Sequence, residues 1–246
     1  MTLVDLLHSD TEYNAESRVL EIGCGVGAQT VTLGRKSPDA SIIAVDISET
    51  SIAEAEQKIL AEELTNVRFL QADIFHLPFC PQSFDHVFVC FVLEHLKDPL
   101  SALQKLKEVL RPGGTITVIE GDHGSACFYP DSASARTAIF CQVELQSRAG
   151  GNALLGRSLF PLLTGAGYNR VRVSPRMVYA DSSRPEMVDG FTKKTFTAMI
   201  KAVRESAIRE GIVAPAVFDK GISDLYRTTE EDGTFCYTFF KAFGKA

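Results

Sequence analysis

Three glycines separate a short apolar run from a helix-like segment near the start of the chain. In VLEIGCGVGAQT, Gly23, Gly25 and Gly27 follow a predicted strand at Arg18–Ile22. Glycines at such a junction let the backbone turn sharply and approach a ligand closely. The loop also fits the G-x-G-x-x-A pattern of dinucleotide-binding folds, with Asp46 far enough along the chain to hold a ribose. The glycines alone predict a nucleotide-like ligand and do not choose the cofactor.

Acidic residues accompany the loop at the ends of three predicted strands. Glu21 stands two residues before the first glycine, Asp46 ends the strand SIIAVD, and Asp73 follows the strand in NVRFLQAD. In an open α/β sheet such strand ends border the ligand site. Asp73 also suits a second interpretation, in which its side chain only caps a turn.

Two later segments, FDHVFVCFVLEHL and LRPGGTITVIEG, complete a five-part series that lies in order between residues 19 and 121. In this series the chain resembles the class I S-adenosylmethionine-dependent methyltransferases, especially the small-molecule branch similar to the ubiquinone/menaquinone C-methyltransferases. The resemblance implies a Rossmann-like, doubly wound α/β fold, whose seven-stranded sheet is mainly parallel with an antiparallel final strand. It also implies S-adenosylmethionine as cofactor and a small molecule as methyl acceptor. A nicotinamide-dependent oxidoreductase and a non-catalytic S-adenosylmethionine-binding protein are the alternatives.

The resemblance also assigns roles around the cofactor. The glycine backbone and Glu21 would surround the methionine moiety, Asp46 would accept from both ribose hydroxyls, and Asp73 would read the adenine edge. Ile47 would pack on adenine, and Cys24 would serve only as a small residue of the loop. The residues expected to bind the cofactor are Glu21, Gly23, Cys24, Gly25, Gly27, Asp46, Ile47, Ala72, Asp73, Ile74, Cys90 and Phe91.

Polar residues bunch after the predicted fifth strand TITVIEG, in EGDHGSACFYP. We predict His123 and Tyr129 as catalytic residues, with His123 preferred as the base that removes a proton from the acceptor. The alternative is a turn in which Asp122 and His123 satisfy backbone groups.

Apolar patterning predicts alternating strands and helices from Arg18 onward, which is typical of an α/β fold. One early helix is expected over Ser51–Leu64, with Ser51 and Glu54 as its capping pattern. We predict one methyltransferase domain over residues 1–246, with a cofactor-binding core over about 18–121. Helical insertions over about 129–156 and 181–227 are expected to cap the acceptor. Because the first strand begins by Arg18, little room remains for N-terminal helices, and a more open cofactor site is expected.

The two insertions and their borders contain apolar and cationic side chains that could contact an acceptor. Plain core packing and exposed helix faces are the alternatives for these residues. Expected in an apolar cavity are Phe128, Tyr129, Phe140, Met177 and Tyr179, and expected near an acceptor carboxylate are Arg148, Arg157 and Arg176.

Composition narrows the class of protein further. The longest strongly apolar run, Val87 to Leu93, is too short to span a membrane. A net charge of −6 without a Lys/Arg cluster argues against a nucleic-acid partner. Six cysteines without a CxxC pair, and an N-terminus without leader features, favour reduced thiols and the cytoplasm. The five histidines show no zinc spacing, so no metal is expected.

Overall fold

The computed structural model describes residues 2–246, in which seven strands form one sheet in the order β3-β2-β1-β4-β5-β7-β6. Strands β1 to β5 pair in parallel, and β7 runs antiparallel between β5 and β6. This topology confirms the predicted fold class. The strands are β1 Arg18–Ile22, β2 Ser41–Asp46, β3 Val67–Gln71, β4 Phe84–Cys90, β5 Leu110–Tyr129, β6 Asn169–Ala180 and β7 Thr234–Lys245.

Helices cover both faces of the sheet and form the insertions before β6 and β7. Short 3₁₀ turns lie at Leu93–His95 and Leu155–Ser158, and a π-helix spans Val188–Thr197. The α-helices are α1 Leu3–His8, α2 Ala28–Lys36, α3 Glu49–Ala61, α4 Pro99–Val109, α5 Ala133–Arg148, α6 Leu159–Gly165, α7 Pro185–Met187, α8 Ala198–Ala202, α9 Arg204–Arg209 and α10 Pro215–Arg227.

The central strands are buried on both faces, which explains their continuous apolar runs. Leu20 of β1 pairs with Ile43 of β2 and Val87 of β4, and both Leu20 and Val87 are fully buried. Helices α2 and α3 pack on this part of the sheet through their apolar stripes. The parallel strands therefore all end at one edge, where the loops after them come together.

The fifth strand is longer than predicted and absorbs the expected turn. Its pairing with β7 continues through EGDHGSACFYP to Tyr129, with an irregularity between Asp122 and Cys127. Long pairing is favoured because Phe235, Tyr237 and Phe239 of β7 alternate into the core. His123 consequently lies at an irregularity between two strands rather than in a surface turn.

Two helix predictions need correction. Helix α3 begins at Glu49, because the Ser48 side chain accepts the Ser51 backbone N–H at 3.2 Å, so Ser51 is not its cap. The sequence also predicts a polar helical stretch from Pro185 to Glu210, and the structure divides this stretch into α7, the π-helix, α8 and α9.

The N-terminal segment crosses the ligand-bearing edge of the sheet. The buried Lys241 ammonium donates to the Leu7 carbonyl at 3.0 Å and to Asp10 Oδ1 at 2.5 Å. His8, also buried, contacts Gln29 Oε1 through Nε2 at 2.5 Å. Burial lowers the pKa of His8 to about 4, so the imidazole is neutral. These contacts tie α1 to β7 and to the first turn of α2.

Within residues 2–246, none of the helices has the length and apolar character that crossing a membrane requires.

Candidate active site

A cavity of about 330 Å³ lies at the carboxyl ends of the first four strands, and we call it the first cavity. Eight of the twelve residues predicted to bind the cofactor are in its wall. The lining residues are Ile22, Gly23, Gly25, Val45, Asp46, Ile47, Ala72, Asp73, Ile74, Phe91, Val92, His95 and Leu96.

The glycine loop has the backbone conformation that requires glycine. Gly23, Gly25 and Gly27 have φ values of 68°, 50° and 81°, in the left-handed region. A Cβ on Gly25 would meet no atom within 4 Å, so this part of the loop faces open space. A Cβ on Gly27 would instead lie 2.9 Å from the Cβ of Ala55, which shows how closely the loop packs on α3. Gly25 thus leaves room for a ligand, and Gly27 leaves room for a helix.

Asp46 holds the loop and still has acceptor capacity. Its Oδ2 accepts the Gly25 backbone N–H at 2.8 Å, and its Oδ1 accepts the Ser48 N–H at 2.9 Å. A carboxylate has about four lone-pair sites, so both oxygens can accept further hydrogen bonds. The next residue, Ile47, is 70% exposed and offers an uncovered apolar side chain in the cavity wall.

Asp73 makes the turn contact considered from the sequence and also borders the first cavity. Its Oδ1 accepts the Phe75 backbone N–H at 3.0 Å, and its Oδ2 lies 3.2 Å from His76 Nδ1. The Phe75 N–H is the main cause that lowers the pKa of Asp73, so the side chain is a carboxylate at neutral pH. Asp73 caps the turn after β3 and also lines the first cavity.

Four predicted cofactor residues lie outside the lining: Glu21, Cys24, Gly27 and Cys90. Glu21 is 1% exposed, and burial, with a smaller contribution from the Asp46 charge, raises its pKa to about 8. Burial raises the pKa of the Cys24 thiol to about 12, which leaves too little thiolate for a nucleophile. The side chains of Glu21 and Cys24 are thus buried beside the loop and are not part of the cavity wall.

The segment after β4 contributes three residues outside the set predicted to bind the cofactor. Val92, His95 and Leu96 line the first cavity. Glu120, near the middle of the neighbouring β5, holds this segment, because its Oε1 accepts the N–H groups of Val92 at 3.0 Å and Leu93 at 2.8 Å. The polar residues Glu94 and His95 in FVLEHL, just after the end of β4, were the available signal in the sequence for this part of the cavity wall.

A second cavity of about 240 Å³ adjoins the first at Phe91, which lines both. Phe91 has a φ of 58°, a strained conformation for a residue with a side chain, and such strain concentrates at functional sites. The lining of the second cavity is Leu3, Phe91, Glu94, Gly121, His123, Phe191, Thr195, Phe196, Met199, Tyr237 and Phe239.

His123 is the predicted catalytic residue that the structure brings to the second cavity. Its Nδ1 lies 3.2 Å from both the Ala153 carbonyl oxygen and the Tyr237 hydroxyl. A proton on Nδ1 satisfies both contacts, since both oxygens can accept it. Nε2 is then the basic nitrogen, and it is buried without a hydrogen-bond partner. Burial lowers the pKa of His123, which keeps the imidazole neutral at physiological pH.

Tyr129, the other predicted catalytic residue, lies away from this group. It pairs with Thr234 at the far end of β5, is 59% exposed, and lines neither cavity. The extension of β5 carries it past the edge where the cavities lie. The other apolar residues predicted for the acceptor cavity are also outside both linings: Phe128 is buried, whereas Phe140, Met177 and Tyr179 are exposed.

The three arginines predicted near an acceptor carboxylate are paired within the protein. Arg157 forms two hydrogen bonds of 2.7 Å with Asp122, and Arg148 pairs with Glu144 at 2.9 Å. Arg176 pairs with Asp10 at 2.5 Å. Their guanidinium groups stabilise the fold, and none is in the lining of the second cavity.

A further groove, of about 510 Å³, lies at the opposite edge of the sheet. Its wall includes Gly113, Arg172 and Lys245, near the start of the parallel part of β5 and the end of β7. That edge is remote from the carboxyl ends of the parallel strands, so we assign no cofactor role to it. Among residues 2–246, no cluster of three His, Cys, Asp or Glu residues is arranged to hold a metal ion.

Comparison with known proteins decides between the cofactor folds that the glycine loop allowed. Residues 20–118 match the family model described as a methyltransferase domain. Residues 20–118 are thus similar to a methyltransferase domain. An uncharacterized methyltransferase of Schizosaccharomyces pombe is 36% identical over 148 residues, which are 58% of this chain and 53% of that protein. The demethylmenaquinone methyltransferase of Lactococcus lactis is 34% identical over 112 residues, which are 45% of this chain and 44% of the relative.

The resemblance to methyltransferases that the sequence motifs indicated is thereby confirmed, and the comparisons give no support to the oxidoreductase alternative. The chain spans about half the length of these curated relatives. Among solved structures, the YcgJ protein of Bacillus subtilis superposes with a TM-score of 0.60 at 18% identity, over 94% of this chain and 92% of that one. That similarity concerns the fold alone.

Proposed function

We propose that this methyltransferase transfers the methyl group of S-adenosylmethionine to a small-molecule acceptor. The observation that carries the proposal is the meeting of the two cavities at Phe91, with the glycine loop on one side and His123 on the other. The residues suit the cofactor, because Gly25 faces open space, Asp46 keeps free acceptor sites and Ile47 is uncovered. We keep residues 1–246 as one domain, with the core over about 18–121 and the two helical insertions as its cap.

In the first cavity, Asp46 accepts hydrogen bonds from the two ribose hydroxyls and Ile47 packs on the adenine. The Asp73 carboxylate, with the backbone of Ala72 and Ile74, accepts from the adenine amine. The backbone of Gly23, with that of Phe91, contacts the methionine end. Glu21 is buried beside the glycine loop, and it affects the methionine end by fixing the position of that loop.

In the second cavity, the acceptor lies against the aromatic wall with its reacting atom beside Phe91. When bound, S-adenosylmethionine supplies an electrophilic methyl group. Nε2 of His123 accepts the proton that the acceptor loses, and Tyr237 and the Ala153 carbonyl hold the imidazole in the required tautomer. Alignment of donor and acceptor supplies the rest of the rate enhancement.

Calorimetry with S-adenosylmethionine and its demethylated product tests the first half of this proposal, and methyl-label transfer to small molecules of a cell extract tests the second. We expect tight cofactor binding and at least one labelled small molecule. Cofactor binding without any label transfer would favour the non-catalytic binding protein, and no cofactor binding would reject both. The proposed compartment is the cytoplasm, which suits six cysteines without a CxxC pair.

A further inference from the structure

Five of the eleven residues that line the second cavity are phenylalanine or tyrosine. The centroids of Phe91 and Phe239 are 5.3 Å apart, those of Tyr237 and Phe239 4.8 Å, and those of Phe196 and Tyr237 5.3 Å. Phe191 touches this group, with its ring centroid 5.6 Å from that of Tyr237. The faces of such rings carry negative electrostatic potential and attract cations, including ammonium ligands.

One acid completes the wall. Glu94 is 8% exposed, and its Oε2 is buried without a hydrogen-bond partner. The residue is fixed in place, because its main-chain carbonyl accepts the N–H of Asn152 at 2.7 Å and the side-chain amide of Gln146 at 3.0 Å. A buried acceptor without a donor is costly, so the cavity favours an occupant that brings a donor or a positive charge.

The charges around this wall disfavour an anionic occupant. The lining of the second cavity contains no lysine and no arginine. A second carboxyl, that of Glu120, is fully buried nearby, and its pKa is raised to about 8 by burial and by the charge of Glu94. A carboxylate or phosphate in this cavity would lie beside the carboxyl group of Glu94 without a counter-cation in the lining.

We infer that the acceptor is an amine that enters the second cavity as an ammonium ion, with Glu94 as its counter-charge and the aromatic rings around it. This inference rests on the proposed methyl transfer and names its substrate class. Before transfer, the ammonium nitrogen gives one proton to Nε2 of His123. Its freed lone pair forms the N–C bond to the methyl carbon, the C–S bond breaks, and the electron pair of that bond stays on sulfur. The product is the N-methylated ammonium ion.

The experiment compares three probes of one shape and different charge: benzylamine, benzyl alcohol and benzoate. Ligand-observed NMR or calorimetry measures their binding to the full chain saturated with S-adenosylhomocysteine. We expect benzylamine to bind about tenfold or more tightly than benzyl alcohol, because a charge-assisted hydrogen bond and cation–π contacts are added. We expect no binding of benzoate.

Two variants test whether residues in the wall of the second cavity cause the preference for benzylamine. Glu94→Gln keeps the main-chain contacts and removes the charge, so benzylamine should lose about tenfold in affinity while benzyl alcohol is unchanged. Phe191→Leu leaves the acid and removes one ring, and it should weaken benzylamine binding roughly threefold. Glu108→Gln, on the exposed face of α4, is the matched control and should leave all three affinities unchanged.

The outcomes separate this inference from the proposed function. Equal binding of the three probes, preference for benzoate, or failure of benzylamine to bind would overturn the amine inference. The amine inference is also overturned if Glu94→Gln keeps the preference for benzylamine while its melting curve shows that the variant is folded. A chain that binds S-adenosylmethionine and methylates only phenols or carboxylic acids refutes the amine and upholds the methyltransferase. A chain that does not bind S-adenosylmethionine refutes the methyltransferase itself.

Discussion

The backbone N–H of Gly25 donates to Oδ2 of Asp46 at 2.8 Å, which ties the glycine loop after β1 to the end of β2. The same carboxylate accepts from Ser48 at the start of α3. One side chain thus sets the positions of the loop, the strand end and the helix around the first cavity. Since both oxygens keep free lone pairs, the group that shapes the cavity can also bind in it.

Replacing this carboxylate should weaken cofactor binding. Asp46→Ala removes the acceptor for the ribose hydroxyls and releases Gly25, so we expect at least a tenfold loss of affinity for S-adenosylhomocysteine by calorimetry. Asp39→Ala, at the opposite end of β2, is a control that should bind normally. Unchanged affinity in folded Asp46→Ala would remove Asp46 from the cofactor site.

Asp73 provides a test that separates recognition from stability. Asp73→Asn keeps an oxygen to cap the Phe75 N–H and replaces the other oxygen by a donor. We expect the melting temperature of the ligand-free protein to change little and the affinity for the adenine cofactor to fall about tenfold. If the ligand-free protein instead loses stability and the affinity holds, Asp73 is a turn cap alone.

The residues of the first cavity were largely predictable, because they lie at strand ends, and local apolar runs in the sequence define those ends. The run RVLEI predicted β1 with its observed bounds, and eight predicted residues line the first cavity. Two of the four exceptions, Glu21 and Cys24, depend on side-chain direction. Glu21 and Cys24 point away from the cavity into protein, and spacing along the sequence does not reveal which face of a strand end meets the ligand.

Most residues of the second cavity were not predicted, because this cavity is formed by segments that are distant in the sequence and by a π-helix. Phe191 and Phe196 are five residues apart, which an α-helix would place on different faces. A π-helix, with its i to i+5 hydrogen bonds, brings both to the second cavity. Tyr237 and Phe239 reach the same cavity through the pairing of β7 with the extended β5, which the glycine-containing sequence EGDHGSACFYP did not predict.

His123 should affect turnover far more than cofactor affinity. If Nε2 accepts the acceptor's proton, His123→Ala lowers turnover about 100-fold to 10,000-fold and leaves calorimetric binding of S-adenosylhomocysteine nearly unchanged. Tyr237→Phe keeps the ring and removes one contact of Nδ1, so a smaller loss is expected. Normal turnover of His123→Ala, at a pH where chemistry limits the rate, would make His123 a structural residue.

Glu120 should make the stability of the ligand-free protein fall as pH rises. Its carboxyl has a pKa of about 8 in the folded chain, raised by burial first and by Glu94 second, against an ordinary value of 4.5. Between these values the folded state holds a proton that the unfolded state has released. The stabilisation is therefore complete below pH 4.5 and is lost as pH rises through about 8.

Glu120→Gln tests this dependence. The amide oxygen can still accept the N–H groups of Val92 and Leu93, but the side chain no longer titrates. Denaturant unfolding across that range should show a shallower decline for the variant, by up to about 1.4 kcal/mol per pH unit. Some decline should remain, because the pKa of Glu21 is raised in the same direction. Glu231→Gln, at an exposed turn before β7, should reproduce the wild-type slope, and an unchanged slope in Glu120→Gln would show that Glu120 is ionised in the folded protein throughout.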